Sequence, residues 1–206
     1  MKKTGMLQRV AVGALGGMLL LGAAGAAVAA EVGDDDVEVN VDIEALPPIG
    51  ALTLSVDSDS TALSEVTSAD AELREFVGVL PTVTVSDDRE EVPDGVFWYV
   101  TGQSSAFTAT GVPEIGPEHL GWAPHLLTEN DGEVAEGPEV GTIFDDAPNN
   151  VGLEGEEFLA LSIDSAGARP VGSWEANADL TLKTPVDVAP GSYSATITLT
   201  LWEDEL

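Results

Sequence analysis

Aromatic side chains are the residues of this chain best suited to bind a ligand. Trp and Tyr present flat apolar faces that stack on sugar rings at a low cost in conformational entropy, and the chain has four tryptophans. Trp122 falls in a stretch rich in Gly and Pro, which predicts a loop, and Trp202 falls on the polar face of the last predicted strand. These two are the better candidates for a binding platform, although surface tryptophans are often partly covered by loops. Trp98 and Trp174 are expected in the core because of the apolar pattern around them.

Histidines and carboxylates give no comparable signal for catalysis or metal binding. His119 and His125 match no strong zinc spacing, and no third ligand is evident. Clustered acids occur at Asp34–Asp36, Asp57 and Asp59, Asp87–Asp88, and Asp145–Asp146. Solvated turns explain these clusters better than an EF-hand does, so weak calcium binding is the most that they predict.

Hydrolase chemistry finds no support in the motifs. Among 37 acids some pair will always have the separation that a glycosidase needs, so such a pair carries no information. No nucleophile elbow indicates a serine hydrolase. We therefore expect no enzymatic activity and no cofactor.

The charge of the chain excludes several classes of partner. It has 7 basic and 37 acidic residues, a formal net charge of −30. Without residues 1–30, which hold three of the basic residues and no acid, the charge is 4 − 37 = −33. Nucleic acids and anionic membrane surfaces are bound through Lys and Arg, so neither is an expected partner. The chain has no cysteine, so its stability depends on the core rather than on disulfides.

The N-terminal residues have the pattern of an export signal. Lys2, Lys3 and Arg9 precede an apolar stretch rich in Gly and Ala, and Ala27-Val28-Ala29 is a small-x-small cleavage pattern. We expect residues 1–30 to be a cleaved Sec signal peptide and residues 31–36 to be a short acidic leader. The mature protein is therefore expected to be extracellular.

A strict alternation of apolar and polar residues between positions 173 and 202 is the strongest structural signal. Every second residue over 174–182 is Trp, Ala or Leu, and every second residue over 193–201 is Tyr, Ala, Ile or Leu. A period of two is typical of strands with one buried and one solvated face. The two strands are predicted to form a hairpin with a turn over 184–191. An isolated hairpin buries too little apolar surface to offset its lost conformational entropy, so a second sheet must face it.

Shorter segments with the same pattern predict the remaining strands. They cover residues 37–44, 51–56, 61–67, 74–79, 81–85, 96–101 and 157–163, with a weaker candidate over 140–144. The apolar run at 96–101 is typical of a strand buried on both faces or lying across a sandwich core. Pro81 predicts a bend, bulge or edge, because it cannot donate to a ladder. About nine strands predict an all-β, single-domain antiparallel β-sandwich over residues 37–206, Ig-like or jelly-roll-like.

The middle of the chain, residues 110–155, is rich in Gly and Pro and predicts long loops. Such loops are often functional. The alternative, which we favour, is that this region packs over one end of the sandwich.

Three segments between residues 80 and 201 carry a family resemblance. They are Leu80–Arg89, which ends in an Asp-Asp-Arg turn; Phe97-Trp98-Tyr99-Val100; and Ala178–Leu201, with a Pro-Gly turn and Tyr193-x-x-x-x-Thr198. In order and spacing they resemble the WxL-domain family of Gram-positive surface proteins. The motif Trp98-Tyr99-Val100 departs from the family pattern by a Val in place of Leu, and Leu199-Thr200-Leu201 departs by a Leu in place of Trp. Residues 116–124 look like an insertion.

The resemblance implies a β-sandwich that holds proteins non-covalently on peptidoglycan. The implied binding residues are those of the two motifs, to which Trp122 and Trp202 are added as platforms. A strongly negative domain is repelled by anionic wall polymers, so attachment needs neutral glycan or peptide contacts, or bridging divalent cations.

We therefore expect an exported, non-enzymatic envelope protein of the WxL type that binds the cell wall. The alternative is a freely secreted structural or assembly subunit that joins other surface proteins through its sheet edges.

Overall fold

Two antiparallel sheets face each other across one hydrophobic core, so the predicted all-β sandwich is confirmed. The computed structural model describes residues 50–129, 131–146 and 148–205. The predicted signal peptide, the acidic leader and the predicted strand over 37–44 lie outside these residues.

Ten strands occur in the described part of the chain. They are β1 (Leu52–Val56), β2 (Ser64–Val66), β3 (Leu73–Val79), β4 (Val83–Asp87), β5 (Val96–Ser104), β6 (Leu120–Leu126), β7 (Ala135–Glu136), β8 (Glu157–Ser162), β9 (Ser173–Pro185) and β10 (Ile197–Glu205). The helical elements are one short α-helix, α1 (Ser165–Ala168), and 3₁₀ turns at Pro117–His119 and Gly152–Glu154. No helix among the described residues is both long and apolar enough to cross a membrane.

Sheet A is organised around β9, its longest strand. β6 pairs with β9 over Ala176–Leu182, while β3 and β4 pair with the same strand over 179–185 and 173–176. Since a strand has two edges, β3 and β4 must both lie on the edge opposite β6. The Leu80 N–H donates to the Ala178 carbonyl at 2.8 Å, and the register shifts by one residue between β3 and β4. Of the bend, bulge or edge predicted at Pro81, the structure therefore has a β-bulge within one long edge.

Sheet B has the strand order β10-β5-β8-β7. β5 is its central strand, with nine register pairs to β10 and a β-bulge opposite β8 between Val100 and Thr101. Because of this bulge, Leu159 and Ala160 of β8 are both buried.

The core lies between the sheets and contains three of the four tryptophans. The alternation predicted for β9 is confirmed, because Trp174, Ala176, Ala178, Leu180 and Leu182 are all buried. The indole N–H of Trp174 donates to the Ala168 carbonyl of α1 at 3.2 Å, so this helix closes one end of the core.

The predicted hairpin between the last two strands is wrong. β9 belongs to sheet A and β10 to sheet B, and residues 186–196 cross from one sheet to the other. Both edges of β9 are already occupied, by β6 and by β3 with β4, so β10 pairs with β5 instead. The Tyr193 hydroxyl donates to the Ala189 carbonyl at 3.0 Å and fixes this crossing.

The Gly- and Pro-rich middle contributes more regular structure than its sequence predicts. Leu120–Leu126 forms β6, although its sequence predicts part of a loop or insertion. Pro124 is tolerated because β6 pairs with only one full strand, β9. The weaker strand predicted over 140–144 is reduced to a single bridge, in which the backbones of Trp122 and Val140 exchange two hydrogen bonds of 2.9 Å.

Arg89 joins the two sheets at one corner of the sandwich. Its Nε and Nη2 donate to the two carboxylate oxygens of Asp87, at 2.8 and 2.6 Å, and its Nη1 donates to Glu203 of β10 at 2.6 Å. The Asp87 side chain is buried. Its burial alone would raise the pKa of this carboxyl, but the Arg89 guanidinium outweighs burial and holds the pKa below its usual range.

Candidate binding face

Alternation along β5 divides its aromatic run between the core and the surface. Trp98 and Val100 are 1% exposed and point into the core. Phe97 and Tyr99 are half-buried on the outer face of sheet B. Of the two alternatives predicted for this run, the structure has the strand that lies across the sandwich core and not the strand buried on both faces.

The residues of β10 divide in the same way. Leu199 and Leu201 pack against the core from the inner face. Thr200 and Trp202 are on the outer face, where they lie opposite Thr101 and Tyr99 of β5. Of the eight candidate residues, the structure therefore brings Tyr99, Thr200 and Trp202 together at the surface.

The outer aromatic patch consists of Phe97, Tyr99, Phe158 and Trp202 on three neighbouring strands of sheet B. Tyr99 is central: its ring stacks on Phe97 at 6.0 Å and on Trp202 at 6.3 Å between centroids, with interplanar angles of 20° and 21°. Phe158 meets Tyr99 edge-on at 5.4 Å and 67°. The three stacked rings thus present nearly parallel planes, flanked by an edge-on Phe.

A shallow groove of about 340 Å³ opens beside these rings. Leu161 of β8 and Ile163, which follows that strand, line it together with Phe97, Tyr99 and Phe158. Ile163 is 69% exposed, Phe158 41% and Trp202 39%. Contiguous exposed apolar patches often mark interaction sites.

A hydrogen-bond chain fixes the Trp202 ring at the edge of the patch. The indole N–H donates to Thr101 Oγ1 at 2.9 Å, and the Thr101 hydroxyl is within 3.4 Å of Glu156 Oε2. Thr101 is only 4% exposed although it belongs to the outer face. The indole nitrogen is therefore occupied by the protein, which leaves the apolar face of the ring for a ligand.

Charges near the patch are negative. Asp204 lies opposite Phe97 in the β5–β10 register, and Glu156 contacts Thr101. Three of the four basic residues in the described chain, Arg74, Arg89 and Lys183, are held in ion pairs, that of Arg89 with Asp87 and with Glu203 of β10. The patch consequently suits an uncharged ligand better than an anion.

Trp122 is not at this surface, so its assignment to a loop platform is wrong. It is 1% exposed in β6 and points across the core toward sheet B. A Cβ at Gly102 of β5 would lie 2.6 Å from Trp122 Cη2, so only glycine accommodates this close approach. The Trp122 indole N–H has no hydrogen-bond partner among the described residues.

A second cleft, also of about 340 Å³, lies between sheet A and the loop around residues 139–146. Asp145 accepts from Thr142 N–H and Oγ1 at 2.8 Å and pairs with Lys183. Burial opposes these contacts, but together they lower the pKa of Asp145. No group of three His, Cys, Asp or Glu suited to a metal occurs in residues 50–129, 131–146 or 148–205. His119 and His125 instead contact the Lys183 carbonyl and Asp179, respectively.

Phe97 and Phe158 are the patch residues that are not among the eight binding residues predicted from the sequence. Phe97 and Tyr99 are two positions apart in a predicted strand, so a shared face could be inferred. Phe158 could not be placed, because the β-bulge opposite β5 sets its position. The contact between Trp202 and Tyr99 could not be predicted from the sequence either. The predicted hairpin pairs β10 with β9, whereas the structure pairs it with β5.

No protein-family model matches the chain, and the search of curated proteins finds no match. The resemblance to WxL domains therefore depends on the segments Leu80–Arg89, Phe97–Val100 and Ala178–Leu201 alone.

Proposed function

We propose that this protein is a non-enzymatic, exported envelope protein that associates non-covalently with cell-wall peptidoglycan through the outer aromatic patch. The observation that supports this proposal is the set of stacked rings around Tyr99, which lies on the outer face of sheet B. Flat apolar surfaces of this kind match the C–H faces of pyranose rings.

The charge of the protein favours an uncharged wall polymer over an anionic one as the ligand. With a net charge of −30 and Asp204 beside the patch, the protein is repelled by polyanions such as phosphate-rich wall polymers. The glycan strand of peptidoglycan offers contacts by ring stacking that need no positive charge on the protein. In this proposal the protein resembles the WxL domains in function, although the residues that make contact include Phe97 and Phe158 as well as Tyr99 and Trp202.

Sedimentation with purified peptidoglycan tests the proposal. The double variant Tyr99→Ala, Trp202→Ala should reduce the bound fraction at least tenfold, since each stacked aromatic ring contributes about 1 kcal/mol or more. Phe144→Ala is the matched control, because Phe144 is 40% exposed against 39% for Trp202 but belongs to another surface.

Two outcomes would contradict the proposal. One is wild-type protein that stays wholly in the supernatant, both with and without millimolar calcium. The other is equal loss of binding in the double variant and in Phe144→Ala. Prior removal of anionic polymers from the wall should strengthen wild-type binding.

A further inference from the structure

Among the described residues, strand β10 forms an edge whose first six residues lack the usual protection against pairing. It is the last strand of sheet B, and among the described residues its ladder partner is β5 alone. Among the other edges of the described residues, β6 contains Pro124, β2 and β7 have three and two residues, and β1, which is also uncharged, has only five. β10 has nine residues, and Ile197–Trp202 contains no charge, Pro or Gly. Unprotected edges of this kind are templates for a further strand.

The hydrogen-bond pattern identifies which backbone groups are available. The Ser105 N–H donates to the Thr196 carbonyl at 2.9 Å. In an antiparallel ladder, every second residue directs its backbone groups to the same partner, so even-numbered residues of β10 face β5. Odd-numbered residues therefore face the free edge. Consistent with this, the Glu205 N–H donates to the Asp204 side chain at 2.8 Å rather than to β5.

We infer that the free edge of β10 pairs antiparallel with β10 of a second copy of this chain, about a two-fold axis at Thr200. Only odd residues can exchange hydrogen bonds, so odd residues must lie opposite odd residues of the other copy. An axis at Thr200 satisfies this condition and places Leu199 opposite Leu201. Thr200 then lies opposite its own symmetry mate, and Thr198 opposite Trp202. The two B sheets become one continuous sheet, which carries both aromatic patches on the same face.

The distribution of charge along β10 selects the antiparallel arrangement. Its three acids, Glu203, Asp204 and Glu205, are all at the C-terminal end. In the antiparallel pair the two Glu203 residues are separated by six residues of strand, about 20 Å, which is roughly two Debye lengths at physiological salt. A parallel, in-register pair would place like charges directly opposite each other, which is destabilising.

A second copy also fits the side chains better than a charged peptide does. The central pairs are Leu with Leu on the inner face and Thr with Thr or Trp on the outer face, which are favourable cross-strand combinations. The high net charge opposes association at long range, so the dimer should strengthen as salt is added. This inference does not depend on glycan binding.

Sedimentation equilibrium of the protein expressed from the full sequence, over a range of concentration and salt, tests the inference. We expect a monomer–dimer equilibrium that shifts toward dimer at high salt. Thr200→Asp should weaken dimerisation roughly tenfold or more, because it places two carboxylates opposite each other. Thr53→Asp, the same change on the exposed edge strand β1, is the matched control and should leave dimerisation unchanged. Circular dichroism verifies that both variants fold.

A second variant, Thr198→Lys, tests the proposed dimer even if Thr200→Asp does not fold. Thr198→Lys places a cation opposite Trp202 and diagonal to Asp204 of the other copy, so it should maintain or tighten the dimer. Weaker dimerisation of Thr198→Lys overturns the antiparallel register. A monomer at all concentrations and salts, or equal effects of Thr200→Asp and Thr53→Asp, overturns the inference. Binding of β10 to an unrelated extended peptide alone, and never to a second copy, overturns it as well.

Discussion

The Trp202 indole N–H donates to the buried Thr101 hydroxyl at 2.9 Å, across the pairing of β10 with β5. This bond joins residues from distant parts of the chain and holds an exposed ring in a fixed orientation beside Tyr99. A ring that is held in its bound orientation loses little further entropy when a ligand stacks on it. Loss of this bond should therefore weaken binding even when every ring of the patch is kept.

Thr101→Val should weaken peptidoglycan binding several-fold without removing any ring from the patch. Valine preserves the shape of threonine but has no oxygen to accept from the indole, so Trp202 gains rotational freedom. The change in tryptophan fluorescence anisotropy and the bound fraction in sedimentation should move together. Binding equal to that of the wild type, accompanied by a freely rotating Trp202, would show that orientation of this ring is unimportant.

Arg89→Ala should lower the free energy of unfolding by about 2 to 3 kcal/mol, because the Asp87 carboxylate loses its partner while remaining buried. Denaturant unfolding measures the effect. Arg74→Ala is the control, since the side chains of Arg74 and Glu65 are 34% and 50% exposed, against 15% and 5% for Arg89 and Asp87, and ion pairs near the surface contribute little. Equal destabilisation by both substitutions would contradict a special role for the corner ion pair.

The stability difference between wild type and Arg89→Ala should shrink in acid. In the wild type the pKa of Asp87 is below its unfolded value of about 3.9, so its contribution is complete above that value and is lost as the pH falls through the folded pKa. Without Arg89, burial raises this pKa, and protonation then relieves an unpaired charge. Unfolding measured from pH 7 to about pH 3 should show the gap closing. A constant gap would mean that Arg89 acts through packing alone.

Gly102→Ala should destabilise the protein by about 2 kcal/mol or more, because its Cβ would overlap the Trp122 ring. Trp122→Phe shortens that ring and removes an indole N–H that has no partner among the described residues. The double variant should therefore be less destabilised than the sum of the single variants. Additive effects in this double-mutant cycle would show that Gly102→Ala does not destabilise the protein through overlap with the Trp122 ring.

Added salt should raise the unfolding temperature, because 37 acids against 7 basic residues strain the compact state through self-repulsion. Thermal unfolding in sodium chloride and in calcium chloride of equal ionic strength separates screening from binding. We expect calcium to have only a modest additional effect, as weak and diffuse association predicts. A large, saturable calcium effect would instead indicate a specific site.

Sequence periodicity was sufficient to predict which side chains share a face of a strand, but not which strands pair with each other. The pattern from Trp174 to Leu182 correctly predicts which β9 side chains are buried. It could not show that β10 pairs with β5. A period of two determines which side chains of a strand share a face, but it does not determine which strand pairs with it. The adjacency of Trp202, Tyr99 and Phe158 depends on that pairing and on a β-bulge, so the patch could not be derived from spacing alone.

The amino-acid sequence by itself determined the fold class, the strong negative charge and the core positions of Trp98 and Trp174, because these follow from local pattern and composition. Only the tertiary structure decided that Trp122 is buried, that Tyr99 and Trp202 stack at the surface, and that β10 is an edge strand in the part of the chain that the structure describes. Those features arise from contacts between residues far apart in the chain. Each strand has only two edges, so the pairing of one strand depends on which edges the other strands already occupy. A local sequence pattern does not contain that information.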